Sequence, residues 1–600
     1  VKKLVTIFIC LMLCMGLGGC TKHPQDTTLR IASEILSGNF MDGFSASDYD
    51  TNILEMIHGY ATYDYDENGS MVLNEVPVKE VSREVDATTG NVRYDYTIAD
   101  DLKWSDGHPL TAADYVFAIL FDSSCEWMDA GAMNANYDHV LGYEEYNAAS
   151  GEDVYFPGVL LIDETHFSII LDGAKLPYFN EMLLAAVSPK PLHIFTDGKG
   201  TILTTEAGSR LKDYSMDDAV VYAKEEYRSA PSISCGPYVF VSYEDHVVTL
   251  KRNTYFLGDF RHQIPEIDTI LIKEMDTSLH VSALINGDVD LITGVLSDED
   301  LLKIQEEDAF TIKEFAGKAY GNLAFACDFG PAADMHVRRA LSYMIDKHEL
   351  IQTVYGGRAS LVSSDYVPAQ WMAQEKEEAL EQLHVYDFHL EKAKEELGQS
   401  DYVYEADGKT PFDSNKIQKD GSYLRHNEKG EALVIRHLDT SGNAVTDVLQ
   451  LQITQRALDL GMRFEVDYGD FAALSMHYYE GASLGDERVY HSFNLANVLP
   501  PGYDPYYNYH SQFAGTPMNP TGIRDDELDA ALEVMEMSDP TQRDDFLDAW
   551  MTYEERFHEI LPVIPLYISN EYAVHAKNIE NVNVNTMEGY GHIITGVRMQ

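Results

Sequence analysis

Residues 92–119, VRYDYTIADDLKWSDGHPLTAADYVFAI, carry a strand, a turn and a helix start in direct succession. Val92, Tyr94, Tyr96 and Ile98 alternate with Arg93, Asp95 and Thr97, the period of a strand with one buried face. The stretch WSDGHP at 104–109 has turn chemistry. Thr111 then precedes Asp114 by three residues, and this pair predicts a capping box in front of YVFAILF.

The same alternation of element types continues in both directions. LRIAS, 29–33, reads as a first strand, and GPYVFVSYEDHVVTLKRN, 236–253, as two strands joined by a polar turn. VRRALSYMIDKHELIQTVYGG, 337–357, has Val337, Leu341, Met344 or Ile345, His348 and Ile351 at helical spacing, and predicts a helix ended by Gly356 and Gly357. Residues 400–430 are polar and turn-rich, a surface excursion. Strands and helices mixed in this order predict α/β domains. With 600 residues, 45% of them apolar and 24% charged, the chain is globular and long enough for two or three domains.

The N-terminus differs. Lys2 and Lys3 precede an apolar run from Leu4 to Met15, too short for a membrane span, and Leu17-Gly18-Gly19-Cys20 follows. That ending resembles a bacterial lipobox, which implies a signal peptide at 1–19, a lipid on Cys20 and a polar tether at 20–28. The alternative is a plain signal peptide with an incidental cysteine. Cys125, Cys235 and Cys327 remain, without CxxC spacing, so neither a zinc site nor a disulfide framework is expected. The 43 basic residues face 99 acidic ones, a net charge of -56, which argues against nucleic acid as a partner and suits a soluble exported surface.

Several segments, in order, resemble the extracellular solute-binding proteins of the peptide and nickel importers, the oligopeptide-binding family. They are YTIADDLKWSDGHPLTAADYVFAI, LGYEEYNAASGEDVYFPGVLLIDETHFSIIL, SCGPYVFVSYEDHVVTLKRNTYF, INGDVDLI, the helix from Val337 and ILPVIPLYISNEYAV. The resemblance implies a two-lobed, periplasmic-binding-protein-like clamp of type II with an extra inserted domain. Lobe I would comprise 29–62, 166–315 and 560–600, the extra domain 63–165 and lobe II 316–559. It also implies oligopeptide capture between the lobes by hinge closure, delivery to an ABC permease and its ATPase subunits, and no catalytic step. The protein would be a monomer without cofactor or metal, held by its lipid on the outer face of the bacterial cell membrane.

The candidate ligand-binding stretch is HSFNLANVLPPGYDPYYNYH, 491–510, whose tyrosines offer rigid apolar faces with polar tips. Asn494, Leu495, Asn497, Asp504, Tyr506 and Tyr507 are its candidate contacts; Glu34, Ile35 and Leu36, after the first strand, form the opposite wall. Backbone pairing to an extended peptide gives affinity with broad specificity. In many members of the resembling family an aspartate after a Trp-x-Ala-like sequence binds the peptide's free amino group. Here the aligned position is Asn497, and the tryptophan is missing. A neutral amide accepts a hydrogen bond from an ammonium but cannot neutralise it, which leaves Asp504, in an Asp-Pro pair, to take that role. The departure keeps open a non-peptide ligand such as a nickel chelate, haem or an oligosaccharide.

Other motifs carry less. YDYDENGSMVLNE, 63–75, fits a calcium loop at Asp64, Asp66, Asn68, Gly69 and Glu75, but Val72 offers no side-chain oxygen and Pro77 opposes a departing helix. The stretch reads better as a hairpin turn. Gly481-Ala482-Ser483-Leu484-Gly485 matches a nucleophile elbow, a secreted hydrolase being the reading from another class, but FAALSMHYYEG before it has helical spacing where a strand is needed. HELIQ at 348 and HEILP at 558 lack the second histidine of a zinc pair, and DGKT at 407–410 lacks the first glycine of a phosphate loop.

Overall fold

The computed structural model describes residues 27–44, 47–132, 137–149 and 154–600; the expected signal peptide, Cys20 and residues 20–26 of the tether lie outside them. No helix among the described residues is long and apolar enough to cross a membrane.

The strand at Thr28–Ser33 pairs in parallel with Thr269–Glu274, from Thr28 beside Thr269 to Ser33 beside Glu274. Side chains alternate between the faces of a strand, and on the inner face Leu29, Ile31, Ile270 and Ile272, side by side in this register, are fully buried. Tyr238–Glu244 and Val247–Arg252 form the expected hairpin beside them. Asp245 and His246, with φ of 51° and 61°, give it the two left-handed positions of a tight turn whose twist matches the strands.

Twelve strands form one sheet that extends through two lobes. Its link is the 14-residue strand Val563–Ala576. The C-terminal part of this strand pairs with Leu291–Gly294 and Phe310–Ala316, its N-terminal part with Ala319–Phe325. The chain thus passes between the lobes at Gly317 and Lys318 and again near Ser569, and the Gly317 N–H donates to the Ser569 carbonyl at 2.9 Å. Each lobe has its own apolar centre: Leu29, Ile31, Tyr238, Ile270 and Leu291 in lobe I, and Leu323, Phe325, Leu341, Ile435, Leu449 and Ile564 in lobe II, so the residues from Ile560 to Ile568, expected in lobe I, pack in lobe II. The fold is a mixed α/β, two-lobed clamp.

A separate four-stranded sheet, in the order Val78–Val85, Val92–Ile98, His166–Leu171, Val159–Leu161, is the extra unit. Val92, Tyr94, Tyr96 and Ile98 point into its core as the alternation predicts. Helix Ala112–Asp122 starts on the Thr111–Asp114 capping box, with the Thr111 N–H donating to Asp114 at 2.8 Å. Strand His166–Leu171 pairs with Val92–Ile98 from Leu171 beside Val92 to His166 beside Thr97, so this sheet continues past residue 165, the end expected for the inserted segment.

The helix expected over 337–357 is two helices, Met335–Met344 and Lys347–Tyr355. Asp346 breaks it: its carboxylate accepts from the Glu349 N–H at 2.9 Å and caps the second helix, while Ile345 is extended. Arg338, only 2% exposed, donates to the carbonyls of Ile560 and Leu561 and closes the C-terminal end of helix Arg543–Ile560.

Candidate ligand cleft

Strand Ser492–Val498 pairs along its length with Ala319–Phe325. On its other edge it pairs with Val434–Thr440 only at Ser492 and Phe493. Residues 494–498 therefore leave an edge on which no strand lies, among the described residues. A cavity of about 320 Å³ runs along this segment, with Leu495, Asn497, Tyr478, Tyr479, Tyr503 and Tyr509 in its wall. An unpaired edge beside aromatic faces is the arrangement that accepts an extended chain.

Beneath the edge, Asn497 is held by a polar network. Its amide donates to Tyr320 at 2.8 Å and Tyr509 at 3.0 Å, and its carbonyl accepts from Asn322 at 3.1 Å. Tyr320 donates in turn to Asp365 at 2.6 Å, which also accepts from Tyr503 at 2.8 Å and Tyr553 at 2.6 Å. Asp365 and Glu554 are both buried, 3.0 Å apart from the Asp365 N–H to the Glu554 carboxyl. Burial, joined by the charge of Asp365, holds the Glu554 carboxyl well above the carboxylate range.

A second cavity, of about 690 Å³, lies where lobe I, the hairpin at 63–73, Lys318 and Pro500–Pro501 come together. Helix Asp48–Ile57 forms one wall. It begins on a capping box between Ser47 and Asp50 and buries Ile53, Met56 and Ile57 in lobe I. Glu55 opens into the cavity, and burial raises its carboxyl to about 7.

A family model for the bacterial extracellular solute-binding proteins, family 5 Middle, matches residues 78–519. The chain belongs to this family. The family 5 fold extends over the rest of the chain: the oligopeptide-binding protein AppA of Bacillus subtilis, solved with a nonapeptide, superposes with a TM-score of 0.67 at 17% identity over 96% of this chain and 99% of that one. NikZ of Campylobacter jejuni, solved with Ni(L-His), gives 0.65 at 19% identity over 95% of this chain and 98% of its own. Among curated proteins, the oligopeptide-binding protein OppA of Bacillus subtilis is 22% identical over 54% of this chain and 55% of OppA, so the match spans about half of that relative's length.

In this family 5 protein the sequence-predicted contacts lie in different surroundings. Leu495 and Asn497 face the smaller cavity. Asn494 is buried beneath it and donates to the Thr446 hydroxyl at 3.0 Å. Asp504 accepts from the Tyr178 hydroxyl at 3.1 Å and the Tyr506 N–H at 2.9 Å, so it fastens lobe II to the segment after the extra sheet. Tyr506 accepts from Gln512 at 3.0 Å and Tyr507 packs on Phe513; neither lines either cavity. In the opposite wall Glu34 accepts from Tyr49 at 3.0 Å, Ile35 is 79% exposed and Leu36 is buried. No hydrogen bond or ion pair among the described residues joins 34–36 to 494–497.

The other motifs resolve into local structure. Residues 63–73 form a hairpin whose turn closes on Asp66, the acceptor from the N–H groups of Asn68 and Ser70 at 2.9 Å each, with Gly69 at φ 74°. Gly481–Ser483 is a turn after helix Phe471–Tyr479, and the Ser483 hydroxyl donates to the Glu480 carbonyl at 2.7 Å. Cys125, Cys235 and Cys327 are free thiols. Asp106, His108 and His193 bring three potential metal-ligand atoms within 4.8 Å; none of the three lines a cleft cavity, and His193 is hydrogen-bonded to Asp106 at 3.1 Å.

Proposed function

We propose that this protein is the ligand-capturing lipoprotein of an ABC importer that takes up oligopeptides, anchored through Cys20 and delivering its cargo to a membrane permease driven by separate ATPase subunits. The observation that carries the peptide reading is the unpaired edge at 494–498 beside a tyrosine-lined cavity. A peptide added there pairs through its backbone, which every sequence shares, while side chains enter the adjoining space. The exposed stretch at Glu34 and Ile35 is the candidate opposite wall, met when the clamp closes. A bound ligand that touches both lobes stabilises the closed state by its greater affinity for it.

A second reading within the fold is a non-peptide ligand. The solved relative NikZ holds Ni(L-His), and Asn497 brings no charge to the place where the family's aspartate stands. Native mass spectrometry of the protein as purified separates the two. The peptide reading expects a ladder of co-purified masses spaced by amino-acid residues; a single metal-chelate, haem or sugar mass contradicts it.

A further inference from the structure

The larger cavity has five carboxyls in its wall, Asp42, Asp64, Glu55, Asp259 and Glu588. Most are already engaged. Asp259 accepts from the N–H groups of Arg261 at 2.9 Å and Gln263 at 2.8 Å and from the Thr595 hydroxyl. Glu588 pairs with Arg261 and accepts from Asn585 at 2.7 Å. Asp64 accepts from the Tyr65 N–H at 2.8 Å and faces His592 at 3.7 Å. Asp42 opens to solvent.

Glu55 has no hydrogen-bond or ion-pair partner among the described residues, although it is half-buried in the wall of a space of about 690 Å³. His58, one helical turn further on, lines the same space, and its buried Nε2 has no partner either. The cations nearby are committed. His592 is shared between the Tyr65 carbonyl at 3.2 Å and Glu588 at 3.3 Å, and Lys318 has a partner of its own. A desolvated carboxyl with a neighbouring unpartnered imidazole nitrogen and aromatic walls at Tyr60, Tyr63, Phe256 and Phe260 is matched by a positively charged group with several N–H donors.

We propose that Glu55 anchors a cationic group of the ligand, an alkylammonium or guanidinium, inside this cavity. It takes the neutralising part that Asn497 cannot play and that Asp504, tied to Tyr178, does not. The charge is the claim; that a peptide carries it rests on the reading above. At neutral pH binding also expels a proton from Glu55, because a cation favours the carboxylate over the acid held near pH 7 by burial. The charged and titratable groups facing Glu55 are Asp64 on the hairpin, Tyr590, His592 and Glu588 near the C-terminus, Lys318 between the lobes and His58 on its own helix segment.

The test is titration calorimetry of the full chain, stripped of ligand, with three probes: N-acetyl-Ala-Ala-Lys-Ala-Ala, whose only cation is the lysine, the same acetylated peptide with norleucine for lysine, and spermidine. Wild type is expected to prefer the lysine peptide at least about tenfold, the scale of a charge-assisted hydrogen bond, and to release protons at pH 7, read from two buffers of different ionisation heat. Glu55→Gln is expected to remove both the preference and the proton release while melting with one cooperative transition, and Glu55→Asp to keep the sign of the preference. A lysine preference or spermidine binding unchanged in Glu55→Gln overturns the assignment. So does a wild type that binds none of the cationic probes. If wild type ignores both peptides yet binds spermidine through Glu55, the peptide reading fails and the cation site stands.

Discussion

Tyr320 has one hydroxyl proton, and Asp365 takes it at 2.6 Å. The Tyr320 oxygen then needs a donor, which the Asn497 amide supplies at 2.8 Å while a second N–H serves Tyr509. Aspartate at 497 would bring acceptors where the network requires donors, so the buried tyrosines below it call for an amide at this position. Asn497→Asp is expected to lower stability by about 1–3 kcal/mol, the cost of a buried polar group left unsatisfied, without creating an amine site; chemical denaturation compared with wild type measures it. The sequence shows Asn497 but not the reason for an amide there, because Tyr320, Asp365 and Tyr553 are distant in the chain. The same holds for Glu55, which sits in no motif and acquires its meaning from walls contributed by residues near 256–260, 318, 500 and 588–592.

At the scale of elements, local signals were readable where the chain settles its own hydrogen bonds. The Thr111–Asp114 box and the alternation from Val92 to Ile98 are such cases. Periodicity failed at Ile345 and Asp346, where a side-chain cap outweighs a continuous helical pattern. The docking of the segment after the extra sheet was also hidden. There the Phe179 N–H donates to the Glu536 carbonyl at 2.9 Å, its ring stacks on Phe546 at 3.7 Å, and Tyr178 holds Asp504. Burial, with Asp504 and Asp138 facing it, raises the Glu536 carboxyl to about 8, above the unfolded value of about 4.3. A raised carboxyl favours the protonated fold, so its stabilising share is complete below about pH 4 and disappears as pH rises through about 8. Glu536→Gln, which keeps the neutral form at every pH, is expected to melt like wild type at pH 5 and at a higher temperature at pH 8.5; equal melting temperatures at both pH values contradict the assignment.

For the whole molecule, the order of segments from the first strand to the last carried the two-lobed clamp, since each segment matched a family element in its place. What order alone could not convey is how one sheet passes between the lobes. The strand Val563–Ala576 and the crossing at Gly317 do this together, bonded to each other at Ser569. This leaves the edge at 494–498 on one lobe and Glu34 and Ile35 on the other, the two parts that the proposed closure would bring onto one ligand. Hydrogen–deuterium exchange with and without a saturating basic pentapeptide tests that directly. Backbone amides in 494–498 and in 34–36 are expected to slow together on binding, with the extra sheet at 78–171 unchanged. Exchange at 494–498 that stays the same while the peptide is bound would contradict strand addition in the interlobe cleft.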